Sequence, residues 1–489
     1  MGERRRPWFT WAPPFVVVLA VLCVRNRFLF TRRLYEQGDA GANSILITQA
    51  KHFTLLVGNY SREGFNHPGP AYLYVQAAGE WLLRDTLHLV PTAWNAHMLA
   101  VFALNCAFVS MGTMVIYGWT RPGALAGFAV LIGLAIWQPS VLNSDWMPYM
   151  YVLPYVVLVI AAASVAAGAA RDIWIVTLSG WLLIHGHACF LVIVPCIVAA
   201  TVLFLLWQNG WRAVLQGLRR HAIPVAVISA LFLLPIALEL ALHWPGNFGK
   251  YFSYGKSGQA GGHGPAQILH YLLWFWWPHP YAWLAALVLF LAASVVAWLA
   301  RDRFLLALLA LNLVSTAAVT LYAAAGIDDL SQYYIAYFYW SAPAITVLVI
   351  VLAVLRGLPV RAALAVAGLA AIAAVAVIAF LPGTRTASTN DIDNALPGAV
   401  AALAARAPGT VIVLDIEHNA WVQTTGFLVQ AERTGVHACV SQAWYQFLFT
   451  SQFICTPAQE RAGVRYTFDT TPPPAGTLLH FSGVWVTAG

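Results

Sequence analysis

Residues 151–169 read YVLPYVVLVIAAASVAAGA, an apolar run with no charged side chain. About 20 such residues cross the hydrocarbon core of a bilayer, so this stretch is expected to span a membrane. The same window, moved along the chain, gives ten further spans near 8–24, 93–117, 123–139, 173–186, 188–207, 222–243, 281–300, 304–324, 336–355 and 362–381. Composition agrees: of 489 residues, 60% are hydrophobic and 9% are charged, against roughly 25% charged in soluble domains. Such a chain cannot cover a water-facing surface along most of its length. That excludes a soluble enzyme, a disordered protein and a nucleic-acid binder. The expected fold class is an α-helical polytopic membrane protein with about eleven transmembrane helices.

The charges set an expected orientation. Formal net charge is +7, but only Lys51, Lys250 and Lys256 are lysines. Arg4, Arg5 and Arg6 precede the first span, and no small-residue cleavage site follows before Arg25, which argues for an uncleaved span with a cytoplasmic N-terminus. Arg121, Arg171, Arg212, Arg219, Arg220, Arg301, Arg303, Arg356 and Arg361 fall in the loops that alternate to the same side, as the positive-inside rule requires. An odd number of spans then sends the C-terminus outside. Three segments escape the hydrophobic pattern, and all three fall on the outer face: the loop 25–92, the glycine-rich stretch 244–280, and the tail 382–489. The chain thus divides into a transmembrane domain, 1–381, and an outer soluble domain, 382–489.

The tail has the composition of a small α/β unit. A helix pattern at 395–407 leads to the apolar run Val411–Leu414, then to Asp415, a helical stretch near 421–433 and a second run at 436–440. Alternating strands and helices suggest a small parallel sheet. Cys439 and Cys455 lie here, in an oxidising compartment if the tail is exported, and are read as a disulfide worth ~3 kcal/mol. Asp415, Glu417 and His418 follow a strand, where α/β sites often form. No glycine-rich phosphate loop stands beside them, so a solvated strand end is the plainer reading.

The first outer loop carries the densest chemistry. Asp39 lies among glycines just past the first span, close to the membrane surface. Pro68 and Pro70 suit the first turn of a helix, on which Tyr72, Tyr74 and Trp81 make an interface-seeking face. His67 precedes that turn, placed to meet a phosphate near a helix N-terminus. Lys51 and Arg62 add cations. One carboxylate, several cations and aromatic residues at the headgroup level are what a lipid-linked phosphosugar needs.

Asn66-His67-Pro68-Gly69-Pro70-Ala71-Tyr72 is similar to the Asn-Lys-Pro-Pro-Leu-x-Tyr stretch of the aminoarabinose and protein mannosyltransferase members of the C-type (GT-C) membrane glycosyltransferases. The expected span pattern also resembles theirs, loosely over the eleven spans and more specifically over residues 35–80. In this chain His67 stands where the relatives often have Lys, and Gly-Pro replaces Pro-Leu. The family places an acidic residue some 30 positions before this stretch at its reaction centre, and Asp39 matches it, 28 residues before His67. The resemblance implies transfer of a sugar from a polyprenyl-phosphate donor to a glycan, lipid or protein of the cell envelope. The reaction would run on the outer face of a bacterial-type inner membrane, by inverting displacement with Asp39 as general base. His67, Arg62 and Lys51 would bind the donor phosphate.

Other polar residues on the outer face are candidates for the acceptor or the sugar. Asp145 and Trp146 pair an acid with an aromatic ring, a common way to hold a sugar, although an interfacial belt gives the same pattern. His185 and His187 lack a clear third ligand, so hydrogen bonding in a cavity is preferred to metal. Glu239 falls near the outer end of a span and should face a cavity or the interface. Asp328 and Tyr333 form a further cluster, and a solvated loop is the alternative. The glycines before Trp274–Trp277 suggest a flap. No metal site is assigned, since no second acid adjoins Asp39 beyond Glu36 three residues earlier; a divalent cation stays open as a cofactor. A monomer is expected. The competing function is a transporter or flippase of a lipid-linked glycan, which would favour internal repeats and charged midplane helices; neither is evident. A third reading is a membrane-anchored assembly protein whose tail domain binds polysaccharide or a partner enzyme, which leaves the polar first loop unexplained.

Overall fold

The computed structural model describes residues 11–256, 261–277, 280–380, 391–473 and 476–489. Arg4, Arg5, Arg6, Gly258 and residues 382–390, the start of the expected tail, lie outside them. The protein is mainly helical. Among the described residues, eight helices are long and apolar enough to cross a membrane: Ala93–Tyr117, Met147–Ala166, Phe190–Gln208, Ala222–His243, Ala282–Ala300, Arg303–Ala325, Tyr333–Gly357 and Val360–Phe380. Three shorter apolar helices, Ala12–Arg25, Arg121–Trp137 and Ile173–Gly186, occupy the remaining expected positions.

Contacts divide the described chain into two units. The first comprises residues 11–26, 67–72 and 101–380; the second comprises 27–66, 73–100 and 391–489. Much of the loop 25–92 therefore belongs with the tail.

In the first unit, Met147–Ala166 is 94% buried and forms the centre, whereas Ala222–His243 is 11% buried and lies at the periphery. A lipid-facing helix is expected to leave large apolar side chains uncovered, as Leu231, Leu234 and Leu242 are. Polar side chains fix the packing from inside. Asn312 Nδ2 donates to Ala342 O at 3.0 Å, and Tyr155 and Ser315 share a hydrogen bond of 2.6 Å. Asp302 accepts from Phe304 N and Leu305 N, capping Arg303–Ala325, and pairs with Arg356 at 2.8 Å. An N-cap carboxylate satisfies amides that the helix cannot.

The glycine-rich stretch in which a flap was expected holds the helices Gly246–Lys256 and Pro265–Trp274. Its first helix is held by Glu239, which accepts from Asn247 N at 2.9 Å and is thereby committed to the end of its own span. Tyr72 is not interfacial: it is 2% exposed and packs edge-on against Tyr151, 5.4 Å between ring centroids. Trp81, at 61% exposed, does face outward.

The second unit is built on a five-stranded sheet. Its strands are β1 (Ile412–Ile416), β2 (Ala438–Val440), β3 (Val464–Asp469), β4 (Thr477–Phe481) and β5 (Val484–Ala488), in the order β2-β1-β3-β5-β4. Only β1, β2 and β3 run parallel; β3–β5 and β4–β5 are antiparallel, so the sheet is mixed and not purely parallel as expected. The helices Leu396–Arg406 and Trp421–Arg433 fall where the sequence pattern placed them. The core they share with the sheet includes Leu396, Leu403, Phe427 and Phe468, and also Ala42 and Ile45 from the helix Gly38–Lys51.

That last helix begins at Gly38 and crosses Trp421–Arg433 at close range. A Cβ on Gly41 would lie 2.7 Å from Thr425 Oγ1 and 3.2 Å from Gly426 N. A Cβ on Gly426 would lie 2.7 Å from Glu36 O. The two glycines let the backbones approach without a side chain between them.

Candidate functional site

Asp39 sits in the first turn of Gly38–Lys51, partly exposed, where a carboxylate suits the helix dipole. Tyr60 donates its hydroxyl to Asp39 Oδ1. Tyr60 in turn packs edge-on against Phe447, 6.1 Å between centroids, within the core of the second unit. The phenol that orients this carboxylate is thus itself supported by the C-terminal segment.

The cations of the same unit differ. Lys51 Nζ lies 2.7 Å from Glu80 and 2.6 Å from Asp85. These partners hold its ammonium above the ordinary lysine range, against the opposing effect of burial, and a phosphate would have to compete with both. Arg62 is exposed and pairs with Glu63 at 3.2 Å.

A pairing that sequence reading missed lies under this surface. Glu36 is fully buried, 2.7 Å from Arg433 and accepting from Ser44 Oγ at 2.6 Å. Burial alone would raise its pKa, but the Arg433 charge and hydrogen bond outweigh it and hold the carboxyl below the usual range. Glu80 is shifted in the same direction: its burial is outweighed by the His97 ring at 2.8 Å, with Arg433 and Lys51 adding.

In the first unit His67 is buried, 4.3 Å from His187 between ring centroids. Ala188 N donates to its Nδ1 at 3.3 Å, which places the ring proton on Nε2. Burial, and then the neighbouring His187, hold His67 well below the ordinary histidine pKa; burial brings His187 to about 4. Both rings are neutral at pH 7, so His67 can offer an N–H but not a cation. His185 Nε2 donates to Phe232 O at 2.8 Å, leaving Nδ1 buried without a hydrogen bond. Gly69 runs against this ring: a Cβ there would lie 2.3 Å from His185 Nδ1. That contact gives a physical reason for glycine where the resembling stretch has proline. Among the described residues no group of three or more His, Cys, Asp or Glu is placed to hold a metal ion.

The remaining candidates gather around an aromatic cluster assembled from three segments of the first unit. Trp146 lies 5.2 Å from Tyr334, Tyr149 lies 4.9 Å from Tyr337, and Trp274 stacks on Tyr333 at 4.3 Å. Asp145, beside Trp146, is buried. Tyr333 also stacks on Tyr271, at 5.5 Å, and the two help line a cavity of about 520 Å³ with His263, Gln267, His270, Asp328, Asp329 and Ser331. Cavities of roughly 300–1,000 Å³ are of the size that holds small ligands. Asp329 is partly committed, accepting from Ser331 N and Oγ at 2.8 Å. His263 Nε2 lies 2.9 Å from Ile327 O, joining the two segments that form the wall.

Cys439 and Cys455 are bonded in a disulfide across a sequence separation of 16. In comparisons with known proteins, no family model and no curated protein matches this chain.

Proposed function

We propose that this chain is a membrane glycosyltransferase that moves a sugar from a polyprenyl-phosphate donor to a cell-envelope glycan, lipid or protein acceptor. The observation that carries the reading is Asp39: a partly exposed carboxylate at the start of a helix just after the first apolar segment, oriented by the Tyr60 hydroxyl. It stands in the position that the resemblance over residues 35–80 gives to the reaction centre. Asp39 takes the proton of the acceptor hydroxyl as that oxygen attacks the anomeric carbon. The bond from that carbon to the phosphate oxygen breaks, and polyprenyl phosphate leaves with the bonding pair. A carboxylate suffices as base because the hydroxyl becomes acidic as its bond to carbon forms.

For the donor phosphate, Arg62 is the preferred cation. Lys51 is tied to two carboxylates, and neutral His67 contributes at most an N–H hydrogen bond. The cavity beside Tyr333 and Asp328 supplies hydroxyl-binding groups and ring faces of the kind that hold a sugar. In this reading the eight long apolar helices and the three shorter ones serve as eleven spans, with the N-terminus in the cytoplasm and the tail outside an inner membrane of bacterial type.

The test is transfer from a panel of radiolabelled polyprenyl-phosphate sugars in membranes, comparing wild type with Asp39→Asn. Donor-dependent product that falls at least 100-fold in the variant, at equal protein level, is expected. Full activity in the variant would move the base elsewhere, and absence of transfer from every donor would favour the transporter.

A further inference from the structure

The second unit has a feature that the transferase reading leaves unused. β1 lies between β2 and β3 and runs parallel to both, so the chain departs to opposite sides of it. In open α/β sheets, ligands bind beyond the carboxyl ends of the strands at such a switch point. Three segments meet there: Glu417–Asn419 after β1, Trp444–Tyr445 after β2, and Thr470 after β3. Glu417 ties two of them together, accepting from Asn419 N at 3.0 Å and from Thr470 Oγ1 at 2.8 Å. Gln442 ties the third, with Nε2 donating to Ile416 O at 2.9 Å.

At this edge Trp444 is 55% exposed. Tyr445 backs the indole at 3.6 Å, and the exposed His418 ring lies nearly parallel to it, at 19° and 6.1 Å. The indole is thus held flat against a buried support with much of its surface open. The Tyr445 hydroxyl is buried and makes no hydrogen bond with the described residues. It lies near enough to Glu417 for that charge, after burial, to help push its pKa up to about 12.

We infer that this carboxyl edge, with Trp444 as its platform, binds a sugar ring of a neutral glycan. A pyranose or furanose presents C–H groups to an aromatic face and hydroxyls to the groups around it. Glu417 Oε1 accepts from the Asn419 side-chain amide at 3.2 Å and keeps lone pairs for such hydroxyls, and the Asn419 amide keeps its carbonyl oxygen and a second N–H for them. No described cation pairs with Glu417, so the edge disfavours uronates and phosphosugars. A lipid-seeking indole would be ringed by apolar side chains, whereas the exposed His418 ring lies beside this one, in the same segment as Glu417 and Asn419.

The test uses the full-length chain in lipid nanodiscs and saturation-transfer NMR with linear tetrasaccharides of mannose, glucose and arabinofuranose, and with a galacturonate tetrasaccharide. At least one neutral probe is expected to bind, with the galacturonate at least 10-fold weaker. Trp444→Ala should weaken binding at least 10-fold and Trp444→Phe less than 3-fold, with the Cys439–Cys455 disulfide and melting temperature unchanged. If Trp444→Ala fails to fold, His418→Ala replaces it, with at least a 3-fold loss expected. No binding of any neutral probe, or binding indifferent to these substitutions, overturns the inference; so does quenching of Trp444 by brominated lipid without a sugar response. The readout is binding and not transfer. A chain that binds a neutral glycan and transfers no sugar keeps this inference and loses the transferase reading, and the reverse result does the opposite.

Discussion

Arg433 reaches back to Glu36, 2.7 Å between guanidinium and carboxylate, joining a residue just past the first apolar helix to the last turn of a helix near the chain's end. Glu36 has no exposed surface. Removing one member of such a pair strands a buried charge and costs about 3–5 kcal/mol, whereas replacing both by uncharged groups costs much less. Arg433→Met is therefore expected to lower the melting temperature more than Glu36→Gln/Arg433→Met does. Differential scanning fluorimetry in detergent, with proteolysis of the tail as a second readout, checks the order. Equal losses in the single and double variants would mean the pair contributes little.

Two acid transitions are expected, in different pH windows. His67 and His187 have depressed pKa values in the folded first unit, so their unfolded forms bind protons first, and stability falls as pH drops below about 6.5. Glu36 and Glu80 in the second unit are depressed carboxylates, whose contribution is complete above about 4.5 and disappears only as pH falls toward their folded values. Hydrogen exchange between pH 8 and 4 should show the first unit loosening before the second. His187→Gln should remove about 1 kcal/mol of the loss between pH 8 and 5.5. Simultaneous loosening of both units would contradict the assignment.

The close helix crossing makes alanine unwelcome at two places and welcome at a third. Gly41→Ala and Gly426→Ala each drive a methyl into backbone or a fixed side chain, at about 1–3 kcal/mol. Gly398, exposed in the helix Leu396–Arg406, has nothing within 4 Å of its Cβ position. Gly398→Ala should add about 0.5–1 kcal/mol through backbone entropy and helix propensity. Melting temperatures of the three variants give the signs directly.

Cys439 and Cys455 close a loop on the strand β2, with a sequence separation of 16. In the chain-entropy model a loop of this size contributes about 3 kcal/mol. Cys439→Ser/Cys455→Ser is expected to lower stability of the second unit by that amount and leave the first unit's exchange rates unchanged. A uniform change in both units would refute this.

Apolar helices were legible because a bilayer demands a fixed length of uncharged residues, and Trp421–Arg433 was legible because its apolar positions recur at helical spacing. The strand Val464–Asp469 carries its signal in another form: Val464, Tyr466 and Phe468 alternate with Arg465, Thr467 and Asp469, a period of two that a search for continuous apolar runs passes over. His67 before a proline reads as a turn residue, and nothing in its neighbours announces that His187, more than a hundred positions later, buries it. The aromatic cluster was visible only in pieces, since Trp146, Trp274 and Tyr333 stand on three segments that no local pattern joins. Glu36 and Arg433 carry no sequence signal of each other at all. Charge pairing over such a distance is a property of the folded unit.

The helix Gly38–Lys51 also has a consequence in time. It is synthesised well before the partners with which its Ala42 and Ile45 share a core, Leu396, Phe427 and Phe468. At roughly 5–20 residues per second, translation leaves an interval on the order of tens of seconds before those partners exist. During that interval the nascent chain carries an apolar helix face waiting for its complement, together with the carboxylate of Asp39. Maturation of this loop is then a late event, and a ribosome that stops before the tail releases a protein whose long apolar helices are made but whose helix Gly38–Lys51 has nothing to fold upon.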